Sequence, residues 1–333
     1  MLPHEIGLHN IAELVPQADT GWVGISRVPL DLRTRLNERA QVCSLQGAGC
    51  ELRFNLVEDE ARITLAMAER PAIAEVFCGS FLIGWHVVET TPTEIVVARP
   101  LLDELVARAA ERQSPPFDSD LFRVVLPWRP AVYICGVTGD LAPPRAHQVP
   151  PRRYLAYGSS ITHGNNGLAP SGTYAMRIAR RLGVDLINLG FGGGAHCEPE
   201  LADYIAARDD WDFATLELGI NMISWLDTAG FAERVRTFVG TIARAHPDKW
   251  IACIDLFPFH MDLDPEAERN HAYRAVVREI VAELALPRLV HIDGRDLLRD
   301  LTGLCADVLH PAPSGMEEIA TNLTVRLERM LAE

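Results

Sequence analysis

Apolar and polar positions change rhythm once along the 333-residue chain, near residue 150. From about 50 to 139, short runs rich in β-branched and aromatic residues follow one another closely, at 50–57, 61–69, 72–80, 81–89, 93–99, 121–128 and 131–138. Turn chemistry such as Glu58-Asp59-Glu60 separates them. Many short strands at such spacing predict an all-β sandwich, jelly-roll-like in character, or a barrel. One interruption, 101–112, consists of good helix formers and predicts a helix across one end. Residues 1–20 carry no strong period and predict an irregular arm.

Residues 140–153 contain two Pro-Pro pairs, Pro143-Pro144 and Pro150-Pro151. Proline removes backbone donors and favours extended backbone, so 143–153 reads as a linker between a first domain, 1–142, and a second, 154–333. Beyond it, apolar runs at 154–157, 184–189, 213–218, 250–257 and 289–293 alternate with helical segments near 173–182, 198–208, 230–245, 265–285 and 313–331. Continuous apolar strands alternating with amphipathic helices predict an α/β domain whose parallel sheet is covered on both faces. In such folds ligands bind outside the carboxyl ends of the strands.

Composition narrows the function classes. Hydrophobic residues make up 48% and charged residues 23%, ordinary for a globular chain. The formal net charge of −14 argues against nucleic acid or an anionic membrane as partner, because phosphate binding draws on clustered Lys and Arg. The amino terminus lacks a basic region followed by an apolar run, and no apolar stretch approaches the roughly 20 residues that span a bilayer. A cytoplasmic protein is the expectation. The seven cysteines are scattered without a Cys-x-x-Cys pair, which suggests neither a metal site nor a disulfide framework.

Four clusters fall at predicted carboxyl ends of strands. They are Gly158-Ser159-Ser160, the run from Asn188 to Gly194, Gly219-Ile220-Asn221, and Asp307-Val308-Leu309-His310 before the last helix. Ser160 alone reads equally as a nucleophile or as a helix cap. The other clusters favour the nucleophile, because together they supply the parts of acyl transfer: a hydroxyl, an imidazole, a carboxylate and donors for an oxyanion. The Asp307/His310 spacing lets one turn present both side chains, with the carboxylate at Nδ1 and Nε2 free for Ser160. Glycines 192–194 leave backbone N–H groups open to a ligand.

The order and content of these clusters resemble the SGNH (GDSL-type) hydrolases over about 154–330. Gly158-Ser159-Ser160-Ile161-Thr162 is similar to their Gly-Asp-Ser block, Gly193 falls on the oxyanion glycine, Asn221 on the asparagine of Gly-x-Asn-Asp, and Asp307 and His310 on the closing Asp-x-x-His. Ser159 and Met222 stand where the family has acids, a departure that touches secondary hydrogen bonds. The resemblance implies a three-layer α/β/α, flavodoxin-like domain. It also implies a serine esterase with Ser160, His310 and Asp307 as catalytic residues, the oxyanion held by Ser160, Gly193 and Asn221, and no metal or organic cofactor. A preceding β-sandwich resembles the two-domain bacterial branch, with carbohydrate esterases and an acyltransferase of antibiotic biosynthesis. The expected substrate is a small or carbohydrate-linked ester; acyl transfer to a hydroxyl is the alternative.

Each assignment has a competitor. Ser159 rivals Ser160; His163, His196, His260 and His291 also lie near strand ends; Asp293, Asp296 and Asp300 lie near Asp307. Trp225 could wall an acyl pocket, and Trp22, Trp85 or Trp128 could stack on a sugar, although core packing is the commoner role. Gly190-x-Gly192-x-x-Ala195 with Glu217 resembles a dinucleotide fingerprint but belongs to the second strand rather than the first. A glycan-binding protein with an inactive hydrolase domain is the remaining alternative.

Overall fold

The computed structural model describes residues 2–333. The amino-terminal part runs β1 (Gly7–His9), β2 (Glu13–Pro16), β3 (Val23–Ser26), α1 (Leu30–Arg33), α2 (Glu38–Ser44), β4 (Glu51–Leu56), β5 (Glu60–Met67), β6 (Ala72–Cys78) and β7 (Phe81–Val88). It continues with β8 (Thr93–Ala98), α3 (Asp103–Gln113), β9 (Leu121–Val125), β10 (Val132–Thr138) and β11 (Leu141–Ala142). Two antiparallel sheets result, one ordered β1-β4-β9-β6-β7 with β11 added on β4, the other β2-β3-β10-β5-β8. Alternate residues, including Leu52, Phe54, Ile63, Leu65, Val124 and Ile134, meet in one buried core, as a sandwich with a single dry interior requires.

Residues 1–20, expected to be an irregular arm, instead supply β1 and β2, one at the margin of each sheet. Strands of three and four residues are too short to carry a readable alternation, and pairing with β4 and β3 supplies what their own sequence lacks. The stretch 27–46 departs further from a sandwich. Val28, Leu32, Leu36, Ala40 and Cys43 form one stripe that packs into the core of the α/β unit. The Pro-rich stretch is likewise held down: Gln148 is fully buried, and its carboxamide exchanges hydrogen bonds with that of Asn55.

The second part runs β12 (Arg153–Gly158), α4 (Ser160–His163), α5 (Tyr174–Leu182), β13 (Asp185–Gly190), α6 (Pro199–Ala206), β14 (Phe213–Glu217) and α7 (Thr228–Ala245). It ends with β15 (Trp250–Ile254), α8 (Glu268–Leu284), β16 (Leu289–Ile292) and α9 (Pro313–Leu331). All five strands are parallel, in the order β13-β12-β14-β15-β16. The apolar runs are continuous because both faces are covered: Leu155 and Tyr157 of β12 pack on one helical layer, Tyr154 and Ala156 on the other. The order reverses between β13 and β14, either side of β12, and such a switch point opens a crevice at the carboxyl edge.

The two parts meet across a buried ion network. Arg53 on β4 donates to both Asp185 carboxylate oxygens at 2.7 Å and to Glu51 at 2.8 Å, while Arg123 on β9 donates to Glu51 at 2.7 Å. Burial by itself raises the Glu51 carboxyl, but the Arg123 and Arg53 guanidiniums hold it far below the usual range. His9 adds its ring 3.3 Å from Asp185. Ser171 completes the seam by donating its N–H and its hydroxyl to buried Glu75. Removing one partner of such a network leaves uncompensated buried charge, so Arg53→Met is expected to lose about 3–5 kcal/mol of stability in urea unfolding. A loss below about 1 kcal/mol would mean that this seam is not what joins the parts.

Candidate active site

The turn after β12 divides two roles between adjacent serines. Ser159 is the N-cap of α4, its hydroxyl accepting the Ile161 N–H at 3.2 Å. Ser160, at the first helical position, is left with a free hydroxyl, which lies 2.8 Å from His310 Nε2. Behind the turn, buried Glu217 accepts the Ser159 N–H at 2.6 Å and the Thr162 hydroxyl at 3.0 Å. Burial raises its carboxyl above the ordinary value. Glu217 is therefore occupied within the fold and unavailable to a ribose. Gly190 packs so tightly on the His163 backbone that a Cβ would approach it to 2.3 Å, so its lack of a side chain serves internal packing.

His310 and Asp307 come from the turn between β16 and α9. His310 Nδ1 is 2.7 Å from Asp307 Oδ2, and Asp307 Oδ1 accepts the backbone N–H groups of His310 and Leu309 at 3.0 and 3.1 Å. Partial burial raises the Asp307 carboxyl, but these hydrogen bonds more than offset that, so it stays ionised. An ionised carboxylate only accepts, which puts the ring proton on Nδ1 and leaves Nε2 to accept from Ser160. The turn holds Val308 at φ +47°, a left-handed conformation unfavourable for a β-branched residue. Hydrogen bonds from Val308 N–H to Cys305 and from His260 N–H to Val308 clamp it.

Gly193 and Asn221 line the same pocket as Ser160 and His310, a cavity of about 290 Å³. Gly193 has φ +76°, which glycine adopts without strain, and its N–H meets no acceptor among the described residues. Asn221 accepts the Ala195 N–H through Oδ1 at 3.2 Å, so its NH2 is the end available to a ligand. The Ser160 N–H, in the first turn of α4, has no partner within the helix. The structure thus brings together all five residues singled out in the sequence.

Several of the competing residues are engaged in other contacts, His163 at the edge of the same pocket. His163 donates from Nε2 to the Trp128 carbonyl and accepts the Gly192 N–H. His291 pairs with Asp255 at 2.7 Å, and Asp293 and Asp296 pair with Arg295 and Arg326. Asp300 caps the turn at Thr302. Trp225 is half exposed, outside the pocket lining, and donates its indole N–H to the Asn221 carbonyl. Met222, in place of an acid, is buried in the apolar core. Trp85 is 65% exposed on edge strand β7 rather than packed in the sandwich core.

Five pocket residues were not singled out in the sequence: Arg39, Cys43 and Gln46 from the α2 region, Arg129 before β10, and Asn165 after α4. The available signal was the helical stripe Leu32, Leu36, Ala40 and Cys43 following Pro29. The α2 backbone sits directly on the glycine loop, where a Cβ at Gly194 would come within 2.6 Å of Ala40 N.

Residues 156–318 match the GDSL-like Lipase/Acylhydrolase family. This segment is a GDSL-like lipase/acylhydrolase domain. No curated protein sequence matches the chain. Among solved structures, the salicylyl-acyltransferase SsfX3 from a tetracycline biosynthetic pathway is 19% identical, with TM-score 0.81 over 98% of this chain and 95% of its own. A family two carbohydrate esterase from Cellvibrio japonicus is 15% identical, with TM-score 0.64 over 98% and 96%. One from Clostridium thermocellum, in complex with cellohexaose, is 17% identical, with TM-score 0.60 over 85% and 92%. Those likenesses extend the shared fold from the GDSL-like domain to the sandwich ahead of it. Among the described residues, no group of three or more His, Cys, Asp or Glu could hold a metal, and no helix is long and apolar enough to cross a membrane.

Within the GDSL-like domain, burial and the Arg27 charge lower His163 from the ordinary 6.5 to about 3. Between those values the unfolded chain binds a proton that the folded chain refuses, so stability falls as pH drops through that window. By pH 4.5 the loss amounts to about 3 kcal/mol. The melting temperature of His163→Gln is expected to fall less steeply than wild type from pH 7 to 4.5; parallel slopes would contradict a neutral, buried His163.

Proposed function

We propose that the protein is a serine-dependent ester hydrolase acting through an acyl-Ser160 intermediate. The observation that carries this reading is the unbroken chain from Ser160 Oγ through His310 to Asp307, 2.8 and 2.7 Å, at the mouth of a pocket edged by N–H donors. In it His310 takes the serine proton as Oγ attacks the ester carbonyl, then returns it to the leaving alcohol. Water repeats the cycle on the acyl-enzyme and restores the serine. Asp307 fixes the imidazole tautomer, and the N–H groups of Ser160 and Gly193 with the Asn221 NH2 hold the oxyanion. The expected substrate is a small or carbohydrate-linked ester.

Acyl transfer to an alcohol is the second reading, supported by the likeness to the salicylyl-acyltransferase across nearly the whole of both chains. The first step is shared, and what differs is whether water or a hydroxyl reaches the acyl-enzyme. A glycan-binding protein with a dead hydrolase domain is disfavoured by the filled Ser160, His310 and Asp307 positions. The domain division follows the Pro-rich segment 143–153 in this reading, with residues 27–46 serving the catalytic side.

A fluorophosphonate is expected to label wild type at Ser160 and to leave Ser160→Ala unmodified, with that variant losing at least about 10³-fold in ester turnover. Asn221→Ala is expected to lose about 10²-fold in kcat at unchanged melting temperature. Equal turnover by wild type and Ser160→Ala would sink the mechanism. Product analysis with added alcohols separates the two readings: free acid alone supports hydrolysis, a new ester supports transfer.

A further inference from the structure

Many arginines in this fold are matched with a carboxylate or carbonyl acceptor. In the larger cavity, about 500 Å³ between the sandwich and α5, three of the four arginines are paired, Arg123 with Glu51 and Arg177 and Arg181 with Glu317, and only Arg180 is not. The pocket at Ser160 differs. Arg39 and Arg129 both line it, and among the described residues no carboxylate lies within 4.0 Å of either guanidinium. Arg39 uses one N–H, Nε, on the Gly192 carbonyl at 3.0 Å, and its stem lies against Gly193, 3.3 Å from where a Cβ would stand. Arg129 lies over the Trp128 ring, and its Nε is buried with no hydrogen-bond partner at all.

We propose that this pocket contains an anion subsite, in which Arg39 and Arg129 receive a carboxylate or phosphate group carried by the substrate beside its ester. This inference rests on reading the pocket as the place of ester chemistry, and it narrows the substrate class from esters in general to anionic ones. A buried donor without an acceptor is costly, which applies to Arg129 Nε; Arg39 is exposed and contributes its charge at the pocket rim. Here the ligand supplies the counter-charge that both guanidiniums lack. Burial, then the charges of Arg70 and Arg39, lower the Arg129 value, the reverse of the rise that carboxylate partners give Arg53. Glu69 is the one carboxylate felt there, and weakly; His163 nearby is neutral, and Asp307 is held by His310. The local cationic pair stands against a net charge of −14 for the whole chain.

The planar fork of each guanidinium suits two-point contact with an oxyanion, and Arg39 sits close enough to the glycine loop to align the ester carbonyl with it. The anion can belong to the acyl part or to the alcohol part, and paired esters tell these apart. Turnover is compared for 4-nitrophenyl hemisuccinate against 4-nitrophenyl butyrate, and for 4-acetoxybenzoate and 4-acetoxyphenyl phosphate against phenyl acetate. Wild type is expected to prefer one anionic member at least tenfold in kcat/KM, mainly through KM, with the preference shrinking at high salt. The ratio of anionic to neutral turnover is expected to collapse toward one in Arg39→Gln and Arg129→Gln, while Arg39→Lys retains most of it. Because a ratio is read within each protein, a general loss of activity or stability does not imitate the effect.

A ratio near one in wild type for every pair, or an unchanged ratio in the double variant, would overturn the subsite. Calorimetric titration of Ser160→Ala with succinate, benzoate and inorganic phosphate gives a readout independent of turnover. Anion binding that depends on the two arginines, together with no ester turnover by wild type, supports the subsite and overturns the esterase reading. Neutral-ester turnover without anion binding does the reverse.

Discussion

The active site depends on one buried cation, Arg27. It follows the last strand residue of β3, is 1% exposed, and donates to four main-chain carbonyls: Gln46 and Cys43 on its own side, Asn188 and Gly190 on the other. Its guanidinium also lies over the Phe191 ring. No carboxylate is needed, because the fork matches four carbonyl acceptors at the ends of two backbone segments. One of those segments is α2, which carries Arg39 and Cys43; the other is the end of β13, which opens into the glycine loop. A single side chain therefore sets the distance between the amino-terminal wall of the pocket and the loop that carries Gly193.

Around that tie the site is held by over-determined local geometry. Ser159 takes the capping duty, which leaves Ser160 uncommitted. Glu217 holds the turn from behind, and Asn188 spans it by donating to the Thr162 carbonyl and accepting the Gly190 N–H. On the far side, the turn that presents His310 stores strain at Val308, on the order of 1–3 kcal/mol. The hydrogen bonds that hold it there also fix Asp307 under the imidazole. Rigid placement of this kind lets hydrogen-bond donors act without reorganising as charge develops.

The buried ions between sandwich and α/β unit have a different consequence. A network of Glu51, Arg53, Arg123 and Asp185 adds little net stability over a well-packed apolar seam, but it tolerates only one alignment of its forks and carboxylates. Rigid alignment matters here because the pocket is shared: its floor comes from the GDSL-like domain and one wall from residues 39–46 and 129. The sandwich therefore contributes to the pocket as well as covering one side of the α/β unit.

The sequence by itself determined the two layers of the story that depend on short-range pattern. Strand and helix periods marked seven strands of the sandwich and all five of the parallel sheet. The carboxyl-edge rule then marked four clusters, and the resemblance to the SGNH hydrolases picked Ser160, Gly193, Asn221, Asp307 and His310 out of them. Tertiary structure alone decided what depends on contacts between distant segments. That β1 and β2 are strands follows from their partners, that Arg27 is buried without a carboxylate follows from four carbonyls collected from two segments, and that Arg39 and Arg129 face the nucleophile follows from how the two parts dock. Periodicity reports which face of an element is buried. It carries no information about which charged side chain, a hundred residues away along the chain, will be left without a partner at the edge of a pocket.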